Sequence, residues 1–291
     1  MKIVVIGANG QLGTDLMKAF QRDHEVMGLT HKEVEVTDPN SFAILRDQHP
    51  DVIINTAAFH KVDQCEDEPL KAFSVNALGA RNIAALSKEI GAITVYISTD
   101  YVFDGAKTEP YTEDDFPVPV NTYGISKLAG ELYTMQNPKH YIFRVASLFG
   151  VAGASGKGGN FVETMIGKAQ KKEPISVVDD MWMSPTYTLD AAKIIKAVLE
   201  SKMPFGVYHA TNAGYCTWFQ FSQEIFKVLG LKPALTSIKT EQLQMKAKRP
   251  KFSALKSVKL PEYGVHPRGW RQALRDYLTA KGHLSQANAT F

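Results

Sequence analysis

The chain has 291 residues, of which 44% are apolar and 22% charged, and its formal net charge is +3. That length can bury a sizeable core, as one large domain or as a large domain with a smaller lobe. The near-neutral balance argues against a dedicated nucleic-acid or membrane-surface binder, which concentrates basic charge on one face, and no apolar run approaches the ~18 residues of a membrane span.

The first strand candidate, Lys2–Ile6, is too short for a signal-peptide core and opens directly into a glycine turn. Further strands are expected at Glu25–Leu29, Val52–Asn55, Thr94–Ser98 and Ile142–Val145. Leu12, Leu16, Ala19 and Phe20 recur at helical spacing after the first strand, and Leu78, Ile83, Ala84 and Leu86 do so before the fourth. Strands alternating with helices read as βαβ units, an α/β fold with a Rossmann-type doubly wound parallel sheet. Residues 1–150 are assigned to this dinucleotide-binding domain. Beyond it, Gly150–Gly159 holds five glycines in ten residues, a flexible loop suited to act as a lid. Helices are expected at Asn160–Lys171, ended by Glu173-Pro174, and at Leu189–Leu199 and Phe219–Leu229, whereas Pro233–Arg271 is mixed in character. Residues 151–281 are read as a smaller C-terminal lobe interleaved with late strands of the sheet, and 282–291 as a disordered polar tail. Cys65 and Cys216 make neither a disulfide framework nor a zinc site, which points to a reducing cytoplasm.

Gly7, Gly10 and Gly13 stand directly behind the apolar run Ile3–Ile6. Without Cβ atoms such a loop turns tightly and lets backbone N–H groups reach a pyrophosphate, while the following helix offers its positive end. A glycine turn without a ligand is the alternative; the strand before it and the amphipathic helix after it favour binding. The acid that grips an adenosine ribose belongs at the end of the second strand, ~20 residues on. Here that strand runs out as Leu29-Thr30-His31-Lys32, with no carboxylate. Thr30 and His31 are therefore read as cofactor contacts, His31 or Lys32 would attract a 2′-phosphate, and NADPH is favoured over NADH; a solvated turn is the competing reading.

Tyr123 and Lys127 lie four apart, one above the other on a helix face. A phenol that gives a proton to a developing alkoxide suits carbonyl reduction, but its ordinary pKa is near 10. A neighbouring ammonium would favour the phenolate and lower that value. Thr99, at the end of an apolar strand upstream, supplies a hydroxyl to hold a substrate oxygen. A surface helix pair would win for an isolated Tyr-x-x-x-Lys; its place behind Ser98-Thr99 makes the difference.

Gly7–Gly13, Asn55–Ala58, Val62-Asp63 with Glu66, Ser98–Gly105, Tyr123–Glu131, Asn160-Phe161, Ser184–Thr186 and Arg249-Pro250 with Ser253 and Leu255 together resemble the extended short-chain dehydrogenase/reductase superfamily. More narrowly, they resemble the dTDP-4-dehydrorhamnose reductase family, over nearly the whole chain. The resemblance implies NAD(P)H-dependent reduction of a nucleotide-linked 4-keto-6-deoxy sugar. It makes Tyr123 the acid and Lys127 its partner and ribose anchor, with Thr99 and Asp100 on the sugar. It also makes Gly10, Gln11 and Leu12 line the pyrophosphate and Ala57, Ala58 and Phe59 flank the cofactor. Glu35-Val36 stands where the family has an acid–aliphatic pair near the adenine. Three departures concern the substrate side. Ser147 stands where the family often has a tryptophan, Met181 and Met183 replace a glutamine and a glycine around Trp182, and Phe59-His60 replaces Tyr-Thr. Trp182 is the residue available to fill the space of the missing ring.

Other residues carry less weight. Arg249 is the best late basic candidate for a substrate diphosphate, as a planar fork, against an equally good reading as a surface salt bridge. His60 reads as an ordinary loop histidine. Asp114, Asp115, Asp179 and Asp180 read as solvated, and no metal is required once Tyr123 donates the proton. Some relatives carry a magnesium ion (Mg2+) at a subunit contact, where Asp15 on the first helix would lie, but the balance is against a metal. A nucleotide-sugar is the expected partner, neither nucleic acid nor membrane is, and a homodimer is compatible with the family. An epimerase or dehydratase on the same scaffold and a non-catalytic NADP-binding regulatory subunit remain as alternatives.

Overall fold

The computed structural model describes residues 1–154 and 159–285. In chain order they form β1 (Lys2–Ile6), α1 (Gln11–Phe20), β2 (Glu25–Leu29), α2 (Ala43–Gln48), β3 (Val52–Asn55), α3 (Val62–Asp67), α4 (Pro69–Phe73), α5 (Gly79–Glu89), β4 (Ile93–Thr99), α6 (Thr122–Thr134) and β5 (His140–Val145). There follow β6 (Leu148–Phe149), α7 (Phe161–Gln170), β7 (Ile175–Val178), β8 (Trp182–Met183), β9 (Thr186–Tyr187), α8 (Thr188–Glu200), β10 (Gly206–His209), β11 (Cys216–Thr217), α9 (Trp218–Leu229), β12 (Leu235–Ile238) and α10 (Trp270–Ala280).

Six strands make one parallel sheet in the order β10-β5-β4-β3-β1-β2. Val4 and Val5 of β1 are both fully buried, so both faces of the sheet are covered and an unbroken apolar run is the natural sequence for this strand. One face packs on Leu12, Leu16 and Phe20 of α1 and on Ala191, Ile195 and Val198 of α8. The other packs on Leu45, Ile83 and Leu86. This is the Rossmann-type doubly wound arrangement. The chain departs from β1 to β2 on one side and returns to β3 on the other, and ligands of such sheets bind at that reversal, beyond the carboxyl ends of the strands. Register brings those ends level: Ile6 lies opposite Leu29 and Asn55, and Thr99 opposite Val145. The loops at Gly7, Thr30, Thr56, Asp100 and Ala146 therefore open along one edge.

A second apolar cluster gathers Phe149, Met165, Phe221, Ile225, Trp270 and Tyr277 from the segments around α7, α9 and α10. Helix α10 was not expected, although Trp270, Ala273, Leu274, Tyr277 and Leu278 keep helical spacing and are buried. The Pro-, Gly- and Lys-rich stretch before it masks its start. The four residues of β10 are too few for a period to be read. Within the segment expected as a tail, His283 donates its N–H to the Leu278 carbonyl at 2.8 Å and sets its ring on Glu163 at 3.0 Å. Residues 286–291 of that tail and 155–158 of the glycine-rich loop lie outside the described residues. Among the described residues no helix is long and apolar enough to cross a membrane.

Candidate active site

The glycine loop is shaped by close approach. Gly7 has φ +80°, a conformation that side chains disfavour, and a Cβ there would stand 2.4 Å from Thr56 Oγ1. A Cβ on Gly13 would meet the Gly7 carbonyl oxygen at 2.2 Å. Gly10 closes the turn by donating to that same carbonyl at 2.9 Å and N-caps α1 without any side-chain cap. The N–H groups of Gln11, Leu12 and Gly13 thus open the helix with no acceptor inside it, a cradle that fits a pyrophosphate. The Leu12 side chain is packed in the core, so its backbone alone can serve. Gln11 Nε2 donates to the Leu148 carbonyl at 3.2 Å, while its buried Oε1 has no partner.

Ala57, Ala58 and Phe59 leave β3 beside this loop. Asn76, fully buried, clamps Phe59 from both sides: its Oδ1 accepts the Phe59 N–H at 2.8 Å and its Nδ2 donates to the Phe59 carbonyl at 3.0 Å. Val36 is buried, whereas the exposed Glu35 turns its carboxylate back on the Thr37 N–H at 3.1 Å. The end of β2 adds a residue to the sequence reading. Glu33 folds back so that Oε2 accepts from the Thr30 N–H at 2.8 Å and from the Thr30 hydroxyl at 2.6 Å. A carboxylate does stand at this strand end, and His31 and Lys32 are exposed beside it.

Thr99 ends β4, and α6 is brought over it by an unusually close contact: a Cβ on Gly124 would lie 2.1 Å from the Tyr101 carbonyl oxygen. The start of α6 is pinned from two directions. Asn121 Oδ1 caps the Gly124 N–H at 2.8 Å while its Nδ2 donates to the Lys248 carbonyl at 2.8 Å. Glu66 accepts from the Thr122 N–H at 2.8 Å and from its hydroxyl at 2.6 Å. Tyr123 is thereby set beside Thr99, and its ring meets Tyr101 edge-on, with centroids 5.9 Å apart. The Thr99 hydroxyl donates to Asp100 Oδ1 at 3.0 Å, and Asp100 Oδ2 is buried without a partner. Burial pushes the Asp100 carboxyl up to about 6, against the pull of the Ser253 and Thr99 hydroxyls.

The expected tuning of the phenol by Lys127 is not what the geometry delivers. Burial raises Tyr123 above the usual phenol value, and the Thr99 side chain is the leading influence in the other direction. Lys127, 1% exposed, donates Nζ to the Ile97 carbonyl at 2.6 Å and stands 4.0 Å over the Tyr96 ring. Burial brings its pKa down to about 7, with Glu131 one turn on pulling it up. Glu131 is itself fully buried, bonded to the Ser98 hydroxyl and held bidentately by Arg144 at 3.0 and 2.7 Å.

With this geometry in place, comparison with known proteins identifies the family. A family model described as the RmlD substrate binding domain matches residues 1–282. The chain belongs to this family. A spore coat polysaccharide biosynthesis protein, SpsK of Bacillus subtilis, is 41% identical over 280 residues, covering 95% of this chain and 96% of that protein. A crystal structure of a dTDP-4-dehydrorhamnose reductase from Clostridium acetobutylicum superposes with a TM-score of 0.91 at 38% identity, covering 96% of this chain and 99% of the other. That of the Bacillus anthracis dTDP-4-dehydrorhamnose reductase, in complex with NADP, gives 0.91 at 36%, covering 96% and 100%.

The departures from the family pattern sort by position. Ser147 sits just past β5 with φ +43° and gives its carbonyl to the Thr186 N–H at 3.3 Å. Trp182 packs with Tyr215 and Phe252, at 5.7 and 6.2 Å between centroids, on the cluster that contains Ala146. Its carbonyl accepts the Ser253 N–H at 2.9 Å, so Trp182 is linked through Ser253 to the surroundings of Asp100. Arg249 is no free surface cation: Nη2 donates to Asp63 Oδ2 at 3.1 Å, its charge acts on the neighbouring Tyr101 hydroxyl, and Nη1 is buried without a partner. Asp15 is 2% exposed, takes the Thr188 hydroxyl at 2.5 Å and faces Lys18 at 3.5 Å, which makes it an α1–α8 contact. Among the described residues no group of three or more His, Cys, Asp or Glu could hold a metal ion. The sequence reading passed over Asn76 and Asn121; Asn121, ahead of an apolar-periodic run, is a helix-start signal. It also gave no role to Glu66, Glu131 and Arg144, and nothing local identifies their partners.

Proposed function

We propose that this chain is a reductase of nucleotide-linked 4-keto-6-deoxy sugars, with dTDP-4-dehydro-L-rhamnose the first choice of substrate and NADPH the preferred reductant, NADH the second. The observation that carries this reading is the convergence of Tyr123, Thr99 and Asp100 at the sheet edge that also opens the Gly7–Gly13 cradle. When bound, the reduced nicotinamide supplies a hydride. Tyr123, kept protonated by its burial, gives its proton to the sugar oxygen as charge develops there. Thr99 steadies the phenol, and the unpartnered Asp100 Oδ2 accepts a sugar hydroxyl. Lys127 braces α6 against β4 and is the residue that would hold the nicotinamide ribose. Arg249 Nη1 is a donor left over for the substrate. We assign the dinucleotide to residues 1–150 and the nucleotide-sugar to 151–281, which has an apolar cluster of its own.

Two structural relatives are named dTDP-4-dehydrorhamnose reductase, and one was crystallised with NADP. A reducing cytoplasm suits the free, buried Cys65 and Cys216. A homodimer belongs to this reading, with the exposed Leu70, Ile125 and Leu132 as apolar surface for it. The test is stoichiometric NADPH oxidation over a panel of nucleotide-linked keto sugars. Tyr123→Phe is expected to lose at least a hundredfold in kcat, within the range for removal of a general acid, with dinucleotide affinity unchanged. Near-normal turnover in that variant, or sugar interconversion without net NADPH consumption, would refute the proposal.

A further inference from the structure

The turn after β2 holds a carboxylate on donors that an anionic ligand would use. Glu33 lies beyond the strand, yet its Oε2 takes both the N–H and the hydroxyl of Thr30, at 2.8 and 2.6 Å. The turn is tight: Glu33 and Val34 give their N–H groups to the Thr30 carbonyl at 3.1 and 3.0 Å, and Lys32 gives its own to the Thr30 hydroxyl at 3.2 Å. Those bonds to Thr30 hold the Glu33 carboxyl below the usual carboxylate range, so it is an anion at neutral pH. The turn is also wired to the phosphate cradle, because the Gly7 and Ala8 N–H groups both donate to the Leu29 carbonyl, at 2.8 and 3.1 Å. In a sheet of this topology the end of the second strand faces the adenosine ribose of a bound dinucleotide. A carboxylate there accepts from the 2′-hydroxyl and repels a 2′-phosphate.

We propose that Glu33 is a specificity-determining residue for the cofactor, occupying the Thr30 donors that a 2′-phosphate needs and so narrowing the preference for NADPH over NADH. The inference rests on the dinucleotide reading of the Gly7–Gly13 cradle. The physical content is competition: two anions cannot both satisfy one N–H and one hydroxyl, and the resident one is tethered. Lys32, exposed on the same turn, supplies a positive charge that Glu33 offsets. Loss of its charge lifts the repulsion, and loss of the side chain leaves two donors and a lysine to the phosphate.

The test measures binding of NADPH, NADH, 2′,5′-ADP and 5′-ADP to the full chain by calorimetry, without sugar, for the parent, Glu33→Gln and Glu33→Ala. Glu33→Gln keeps the shape and an acceptor but removes the charge; Glu33→Ala frees both donors. NADPH and 2′,5′-ADP are expected to bind about tenfold more tightly in both variants, with NADH and 5′-ADP unchanged or weaker. The gain should shrink as salt is raised from 0.05 to 0.5 M, because the exposed charge is screened. An NADPH-to-NADH affinity ratio within twofold of the parent in both variants would overturn this proposal alone. Failure of the parent to bind either dinucleotide would overturn the cradle reading on which it stands.

Discussion

At the scale of single residues, the buried lysine is the most consequential group. Lys127 has the Ile97 carbonyl and the Tyr96 ring as immediate company, and burial takes it from 10.5 down to about 7. A lysine freed by unfolding binds a proton anywhere in that window, so the unfolded state then carries the extra proton. Stability therefore rises with pH from about 7 upward. The ligand-free chain is expected to gain melting temperature between pH 7 and 8.5, and Lys127→Met to lose most of that slope. Parallel slopes in thermal melts of the two proteins would contradict the assignment. The spacing of Tyr123 and Lys127 was legible because it is set by one helical turn. The direction of the ammonium was not, because it depends on a strand that the spacing does not mention.

At the scale of elements, α6 acts as a positioned carrier. Asn121 and Glu66 fix its first turn to the 248 region and to α3, and Gly124 lets it approach the turn after β4. Asn121→Ala removes a cap worth about 1 kcal/mol and the tether to Lys248 with it. The expected outcome is a small fall in stability and a loss on the order of 10- to 100-fold in kcat, the penalty for a displaced reacting group, with dinucleotide affinity intact. Calorimetric binding and initial rates on one preparation check both halves. Helices α1, α5, α7, α8 and α9 were legible because each buries a stripe at helical period. Helix α10 has the same stripe, but Gly269 offers only a weak start signal, with no side-chain cap.

For the whole molecule, the layers are joined by a buried ion pair under the site. Glu131 of α6 meets Arg144 of β5 and Ser98 of β4, with the Arg144 guanidinium 5.1 Å over Phe103. Removing one charge leaves the other buried and uncompensated, which costs roughly 3–5 kcal/mol. Glu131→Gln should therefore lower Tm on the order of 10 °C, and replacing both residues by Met should recover much of it. Unchanged melting of the single variant would show that the pair is dispensable. The sequence by itself determined the alternation of strands and helices, the glycine cradle and the Tyr123–Lys127 spacing, because each depends on residues within a turn or two of one another. Only the tertiary structure decided that Arg249 meets Asp63 across 186 positions, that Glu131 holds Arg144, and that Lys127 turns to β4. Those pairings are made between side chains from separate elements, and their partners are set by how the sheet and its covering layers stack.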